Sequence, residues 1–474
     1  MSSNKNGAHI LVFPFPAQGH MLPLLDLTHQ LSIRGLTITI LVTPKNVPIL
    51  NPLLLSNPSI QTLVLPLPSH PSIPPGLENV KDIGNHGNIP IITALSKLQE
   101  EIILWFKSHS NPPVAILSDF FLGWTHDVAT RIGVPRIVFY SSGAFAVAVF
   151  DHLWENCEDV ECGAEIKFHD LPRTPRFAWE QVPSLYRRYR ELGFDEASCE
   201  LIKASMMANG LSWASVGNTF EALEGEFLDC LRKKMGHPRF FSVGPMNMVG
   251  GPNKLRVGDV ESGSRDGVLS WLDQFDDGCV LYVCFGSQKL LKKAQMEALA
   301  IGLERSGVRF VWVVKPLTAQ QVADGYGAVP DGFEDRVAGR GFVINGWAPQ
   351  VAILSHRAVG GFLSHCGWNS VLEAIAAGVV ILGWAMEADQ FVNATLLVDY
   401  EGVAVRVCEG GDMVPDSAEL ARKIAQSMHG DAIERVRAKE LRNKALDAIR
   451  VGGSSNRDLD GLVREIAQLE VKNV

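Results

Sequence analysis

Apolar residues fall along this chain in two rhythms: short unbroken runs, and longer stretches with apolar positions three and four apart. Residues 9–15 (HILVFPF) predict a buried strand and 16–20 a turn. Met21 to Arg34, with Leu24, Leu25, Leu27 and Leu31 on one face, predicts a helix, and 37–43 (TITILVT) a second strand. The βαβ rhythm continues with 114–120 (VAILSDF), a helix from near Trp124, and 136–140 (RIVFY). A second series of the same kind runs through 279–287 (CVLYVCFGS), a helix from Lys292 to Ser306, and runs at 309–314, 341–346 and 379–384. Alternation of this kind belongs to parallel sheets with helices on both faces.

Between the two series, 241–267 is rich in Gly, Ser, Pro and charge and has little periodicity. The expected fold is therefore α/β: two doubly wound, Rossmann-like domains in tandem. Their predicted limits are 1–245, a linker at 246–267, and 268–456. Leu459, Leu462, Val463, Ile466 and Leu469 have helical spacing, so 457–474 reads as an amphipathic helix that closes the structure. In such folds ligands bind at the carboxyl ends of the strands, and a cleft between the domains is the expected place.

The 474 residues suffice for two sizeable cores, and the formal charge of −9 leaves no basic footprint for nucleic acid. The opening apolar run is short and broken by Pro14 and Pro16, so neither a signal peptide nor a membrane span is predicted; a cytoplasmic monomer is expected. The eight cysteines show no CxxC pair or zinc spacing and read as free thiols, Cys366 as a small packing residue.

The densest chemistry lies between Trp347 and Gln390. SHCGWNS (364–370) reads as strand end, tight turn and helix start, with Gly367 allowing close approach and Asn369 and Ser370 placed to cap the helix. Such a turn binds a diphosphate. His365 can add a hydrogen bond, charge-assisted if protonated. Glu373, one turn further along, can accept both hydroxyls of a ribose, and Trp347 with Gln350 precedes them in a proline-containing loop. An indole face stacks on a pyrimidine for roughly 1–3 kcal/mol.

This 44-residue stretch closely resembles the plant secondary product glycosyltransferase signature, the donor site of UDP-dependent glycosyltransferases of GT-B fold. The resemblance extends through FPAQGHMLPLLDL, SDFF (118–121), NTFEALE (218–224), VGPM (243–246), WLD (271–273), VCFGS (283–287) and GFEDRV (332–337) to essentially the whole chain. It implies that Trp347 stacks on uracil, Gln350 contacts the nucleoside and Glu373 holds the ribose. His365, Asn369 and Ser370, with Ser287, would hold the diphosphate, Asp389 and Gln390 the sugar hydroxyls, and Ala348, Gly367 and Trp368 belong to the same donor site. The WAMEADQF and VRVCEGG wording is most similar to flavonoid and phenolic-acid transferases. Where the family usually has proline, this chain has Val380 and Ala385, which implies a less rigid loop before Asp389.

His20 is expected in the loop after the first strand, and Asp119 at the end of the strand AILSDF in the same domain. Imidazole, which changes charge near pH ~6.5 in water, suits removal of a proton from an acceptor hydroxyl, with a carboxylate on its far nitrogen. GH at 19–20 and SD at 118–119 match the family's His–Asp dyad, which implies in-line, inverting transfer from a UDP-sugar co-substrate with no further cofactor. No metal is called for: Asp276 with Asp277, and Asp458 with Asp460, read as solvated charge. UDP-glucose is the expected donor, since Asp389 and Gln390 can fork two equatorial hydroxyls; UDP-xylose and UDP-rhamnose are the alternatives. The acceptor is expected to be a small phenol, against Phe120, Phe121, Phe145 and Phe150, with C-glycosylation the alternative to O-glycosylation. A dehydrogenase lacks its GxGxxG after the first strand, where PAQGH stands, and the remaining rival is a silent UDP-sugar-binding protein.

Overall fold

The computed structural model describes residues 7–191, 196–249, 262–287 and 289–470. The chain divides into two compact units. Met1–Trp179, Ser184–Arg256 and Asp447–Val474 form the first; Val257–Leu446, with Glu180–Pro183, forms the second. The predicted linker at 246–267 falls largely on 250–261, outside the described residues, as do 471–474 at the end of the closing helix.

The first unit is built on seven parallel strands: β1 (His9–Phe13), β2 (Thr37–Val42), β3 (Gln61–Val64), β4 (Ala115–Asp119), β5 (Arg136–Tyr140), β8 (Ala214–Gly217) and β9 (Phe240–Ser242). They lie in the order β3-β2-β1-β4-β5-β8-β9, while β6 (Ile166–Lys167) and β7 (Arg176–Phe177) form a separate antiparallel pair. The order turns back at β1, and β1 and β4 are hydrogen-bonded neighbours with Phe13 opposite Ser118. That register brings the chain after Phe13 and the chain after Ser118 to the same edge of the sheet. Parallel sheets place ligands at such a reversal.

The second unit repeats the plan with six parallel strands: β10 (Val280–Cys284), β11 (Arg309–Val314), β12 (Gly341–Asn345), β13 (Val359–Ser364), β14 (Val380–Ala385) and β15 (Ala404–Glu409), in the order β12-β11-β10-β13-β14-β15. Both faces of the sheet are covered, so Val280–Val283 and Val380–Ala385 are buried without alternation, as the apolar runs predict. Phe333 and Val337 of the GFEDRV motif belong to this unit's core.

The last helix, Ser454–Ile466, packs on the core of the first unit, burying Leu459, Leu462 and Ile466 among Ile10, Leu27 and Ile38. Asp458 is not the solvated charge the sequence suggests, whereas Asp460 is exposed, as expected. Asp458 accepts hydrogen bonds from the backbone N–H and the hydroxyl of Ser242 at 2.8 and 2.9 Å, and Asp460 pairs with Arg34 at 2.9 Å. Two further motifs prove to be fastenings. Glu224 of NTFEALE accepts the N–H groups of Ala144 and Phe145, both at 2.8 Å, and so caps the helix Ala144–Glu155. Gly244 of VGPM lies so close to Asn218 that a β-carbon there would come within 2.6 Å of its Oδ1.

Leu462→Ala removes a fully buried side chain from the seam between the closing helix and the sheet. It should cost about 2–5 kcal/mol of stability in the first unit, read as a lower urea midpoint. A midpoint indistinguishable from wild type would show that the helix contributes nothing to that core.

Candidate active site

His20 is not in a loop. The helix Gln18–Ile33 begins three residues earlier than the apolar spacing suggests, because the chain already turns at Phe15–Ala17, where the Ala17 N–H bonds the Phe15 carbonyl at 2.8 Å. His20 therefore sits in the helix's first turn, a more rigid mounting than a loop. Its Nδ1 lies 3.1 and 3.0 Å from the two carboxylate oxygens of Asp119 and 3.3 Å from the Ser141 hydroxyl. Asp119 is wholly buried, and its Oδ1 also accepts the Phe121 N–H at 2.9 Å. An ionised carboxylate only accepts, so Nδ1 carries the proton, and Nε2 is left with its lone pair. The His20 side chain keeps 18% exposure, enough for that nitrogen to meet a substrate.

The aromatic residues divide. Phe120 stacks on the His20 ring at 5.4 Å and 15°, Phe121 lies at 4.6 Å, and Phe150 packs on Phe120 at 5.7 Å. Phe145 instead stacks on Phe227 at 4.4 Å, a core contact between two helices. Phe15, which the sequence reading did not single out, closes on His20 at 5.3 Å. Its signal was available: it stands in the same turn, two residues after the strand.

In the second unit, β13 ends at Ser364 and the helix Trp368–Ala377 starts directly after the turn at 365–367. The cap is Gly367, with extended backbone and no side-chain cap. Asn369 and Ser370, expected as caps, lie within the first turn instead. Cys366 adopts a left-handed φ of 61°, and its carbonyl accepts the Asn393 side-chain amide at 3.0 Å. Burial pushes the Cys366 thiol up to about 12, so it stays protonated and serves packing.

The His365 ring is wedged between Gly286 and Gly367, where a β-carbon would come within 2.7 and 2.5 Å of Nε2. Both positions therefore demand glycine. Burial, reinforced by the Lys315 charge, lowers His365 to about 4, so it is neutral at pH 7 and contributes as an uncharged donor or acceptor. Ser287 is exposed on the adjoining turn.

Gln350 is a hub. Its amide nitrogen donates to Glu373 at 2.7 Å and Ser370 at 3.1 Å, and its oxygen accepts the Tyr282 hydroxyl at 3.3 Å. Tyr282, fully buried in β10, is a member that sequence reasoning missed. Trp347 is 49% exposed, as a stacking platform requires, whereas Ala348 beside it is buried.

At the far end, the Gln390 oxygen accepts the N–H groups of Met386 and Glu387 at 2.9 and 3.0 Å. This fixes the amide's orientation, with its oxygen toward that loop. Val380 and Ala385 are both buried in β14, and the Ala385 carbonyl accepts the Gly410 N–H at 2.8 Å. Without the family's prolines, the loop is held by these bonds.

Comparison with known proteins shows the family. The family model described as UDP-glucoronosyl and UDP-glucosyl transferase matches residues 252–423. UDP-glycosyltransferase 89A2 of Arabidopsis thaliana is 52% identical over 99% of this chain and 98% of its own length. The flavonol 3-O-glucosyltransferase UGT89B1 of the same plant is 50% identical over 97% of this chain and 96% of its own. The crystal structure of Arabidopsis thaliana UGT89C1 complexed with UDP-L-rhamnose superposes with a TM-score of 0.80 at 38% identity, over 97% and 99% of the two chains. The fold is GT-B, and the chain belongs to the UDP-glycosyltransferase family. It is a UDP-glycosyltransferase of the group that includes these plant enzymes.

The depressed His365 gives a pH signature. Between about pH 6.5 and 4 the unfolded chain takes up a proton there that the folded chain refuses, so this residue's share of stability, full above 6.5, is lost as pH falls through that window. Chemical denaturation of the ligand-free protein should show that slope, and His365→Gln should flatten it. An unchanged slope in the variant would place the proton uptake elsewhere.

Proposed function

We propose that this enzyme transfers glucose from UDP-glucose to a hydroxyl of a small phenolic acceptor, flavonoids foremost, with His20 as general base and inversion at the anomeric carbon. The observation that carries the reading is the bond from Nδ1 of His20 to buried Asp119, which leaves Nε2 as the proton acceptor. Nε2 takes the acceptor's hydroxyl proton as its oxygen attacks the anomeric carbon. Asp119 stabilises the imidazolium that forms, and UDP departs from the opposite face. An α-linked UDP-glucose so yields a β-glucoside.

In the second unit, Trp347 stacks on uracil and Glu373, held by Gln350, takes the ribose hydroxyls. The start of the helix Trp368–Ala377, with neutral His365 and Ser287, receives the charge of the departing diphosphate, so no divalent cation is invoked. Asp389 and the oriented NH2 of Gln390 bind neighbouring equatorial hydroxyls of the sugar. Phe120 and Phe121 pack on the base, with Phe150 behind Phe120, so the surroundings of His20 are apolar and aromatic, which suits an aromatic acceptor. The flavonol 3-O-glucosyltransferase among the relatives supports both acceptor and sugar. UDP-rhamnose is the second reading, since UGT89C1 was crystallised with it.

Two measurements test this. His20→Ala should lower kcat toward a flavonol by about 10²–10⁴ while UDP affinity stays near wild type, because the nucleotide contacts lie in the other unit. Retention of more than about a tenth of the rate would remove His20 from the role of base. In competition at equal concentrations, UDP-glucose should be used about ten- to a hundredfold more than UDP-galactose, whose axial 4-hydroxyl leaves a buried group unpaired. Preference for UDP-galactose or UDP-rhamnose would refute the fork of Asp389 and Gln390.

A further inference from the structure

Arg136 begins β5 and is 1% exposed, yet among the described residues its guanidinium meets only neutral oxygens. Nε donates to the hydroxyls of Ser118 and Thr125, both at 2.9 Å. One terminal nitrogen donates to Asn209 Oδ1 and Ser212 Oγ at 3.0 and 2.9 Å, and the other to the main-chain carbonyl of Asp119 at 3.3 Å. A buried cation that touches no carboxylate is costly, and so is the buried carboxylate of Asp119, one residue along the strand that Arg136 grips. The two are linked through the main-chain carbonyl of Asp119.

We propose that Arg136 is a positioning residue of the His20–Asp119 pair: it clamps the main chain at Asp119 and sets a cation behind this carboxylate, so that the pair is held in place and His20 stays open at Nε2. The inference rests on the reading of His20 as base. Burial draws Arg136 down to about 10, with Tyr140 and Asp119 acting in the opposite direction, so it is a cation throughout the working range.

The other titratable groups around it do not substitute for that charge. Tyr140, on β5, is raised by burial and stays neutral, and Asp151 beyond it is paired with Lys234 at 4.0 Å. His126, on the helix Thr125–Ile132, is lowered by burial and then by Arg136 itself. Asn209 and Ser212, from the segment before β8, are uncharged, as is Ser141 beside His20.

If the cation is removed, the pair of His20 and Asp119 holds a proton more tightly, and Nε2 is lost as a base at a higher pH. In the full-length enzyme with UDP-glucose and a flavonol, Arg136→Met should therefore move the acid limb of the kcat–pH profile up by about one unit or more. It should lower kcat at pH 7 by about tenfold or more and leave KM for UDP-glucose within about twofold. Arg136→Lys keeps the charge but cannot span all five acceptors, so its acid limb should stay at the wild-type position while its plateau kcat falls severalfold. A merely structural arginine would lower thermal stability and leave the limb and the plateau kcat of the folded variants unmoved, and that result overturns the proposal. Should the Met variant fail to fold, the Lys variant decides, and a wild-type plateau kcat there is equally fatal. His20→Ala, assayed alongside, separates the two ideas. An active His20→Ala defeats the base itself, whereas an inactive one with an unperturbed Arg136→Met defeats only the role of Arg136.

Discussion

A carboxylate sealed from water must have its oxygens answered by donors, and much of the first unit is arranged to answer Asp119. The donors are the His20 ring and the Phe121 N–H, and each imposes a position on its own segment. The first comes from the opening turn of the helix after β1, the second from the turn after β4, and the two meet because β1 and β4 are parallel neighbours in register. Sheet topology thus does the work of orientation. Two loops distant in sequence are delivered to one edge, and hydrogen bonding to a buried charge selects one ring tautomer.

The second unit solves a different problem with the same architecture. On the proposed reading this unit takes the nucleotide sugar, and the residues that would hold it are already bonded to one another. Gln350 fastens Glu373 and Ser370, Gln390 draws its own loop tight, and Asn393 ties the turn at Cys366 to the helix that follows Asp389. Such preorganisation limits the ordering that binding would otherwise cost. It also explains two glycines on different loops: the His365 ring occupies the space a side chain at 286 or 367 would need.

Much of this was legible in the sequence, for identifiable reasons. Strands buried on both faces announce themselves as apolar runs, so β1, β2, β4, β5, β10 and β11 could be read directly, while exposed β3 and four-residue β8 carry too little pattern. His20 and Asp119 stood out through the resemblance of GH at 19–20 and SD at 118–119 to the family's dyad. What spacing could not give was the helix start, since Gln18 and Gly19 are polar or small and look like turn, or the direction in which Phe145 points. Tyr282 and Arg136 were invisible for a related reason: inside apolar strands they look like packing, and only their partners reveal otherwise. Glu224 shows the converse, a residue inside a family motif whose task is to cap a helix.

The return of the chain to its starting unit at Asp447 has a bearing on biosynthesis. The core around Ile10, Leu27 and Ile38 is completed by Leu459, Leu462 and Ile466, which the ribosome makes only after the second unit. At about 5–20 residues per second, the first unit waits with an uncovered apolar face for roughly 10–40 s while Val257–Leu446 is translated. The nascent chain thus carries a half-finished hydrophobic surface through much of its synthesis. Exposed apolar surface of that kind is prone to aggregate, so the order of synthesis, as well as the stability of the finished fold, bears on how the chain folds.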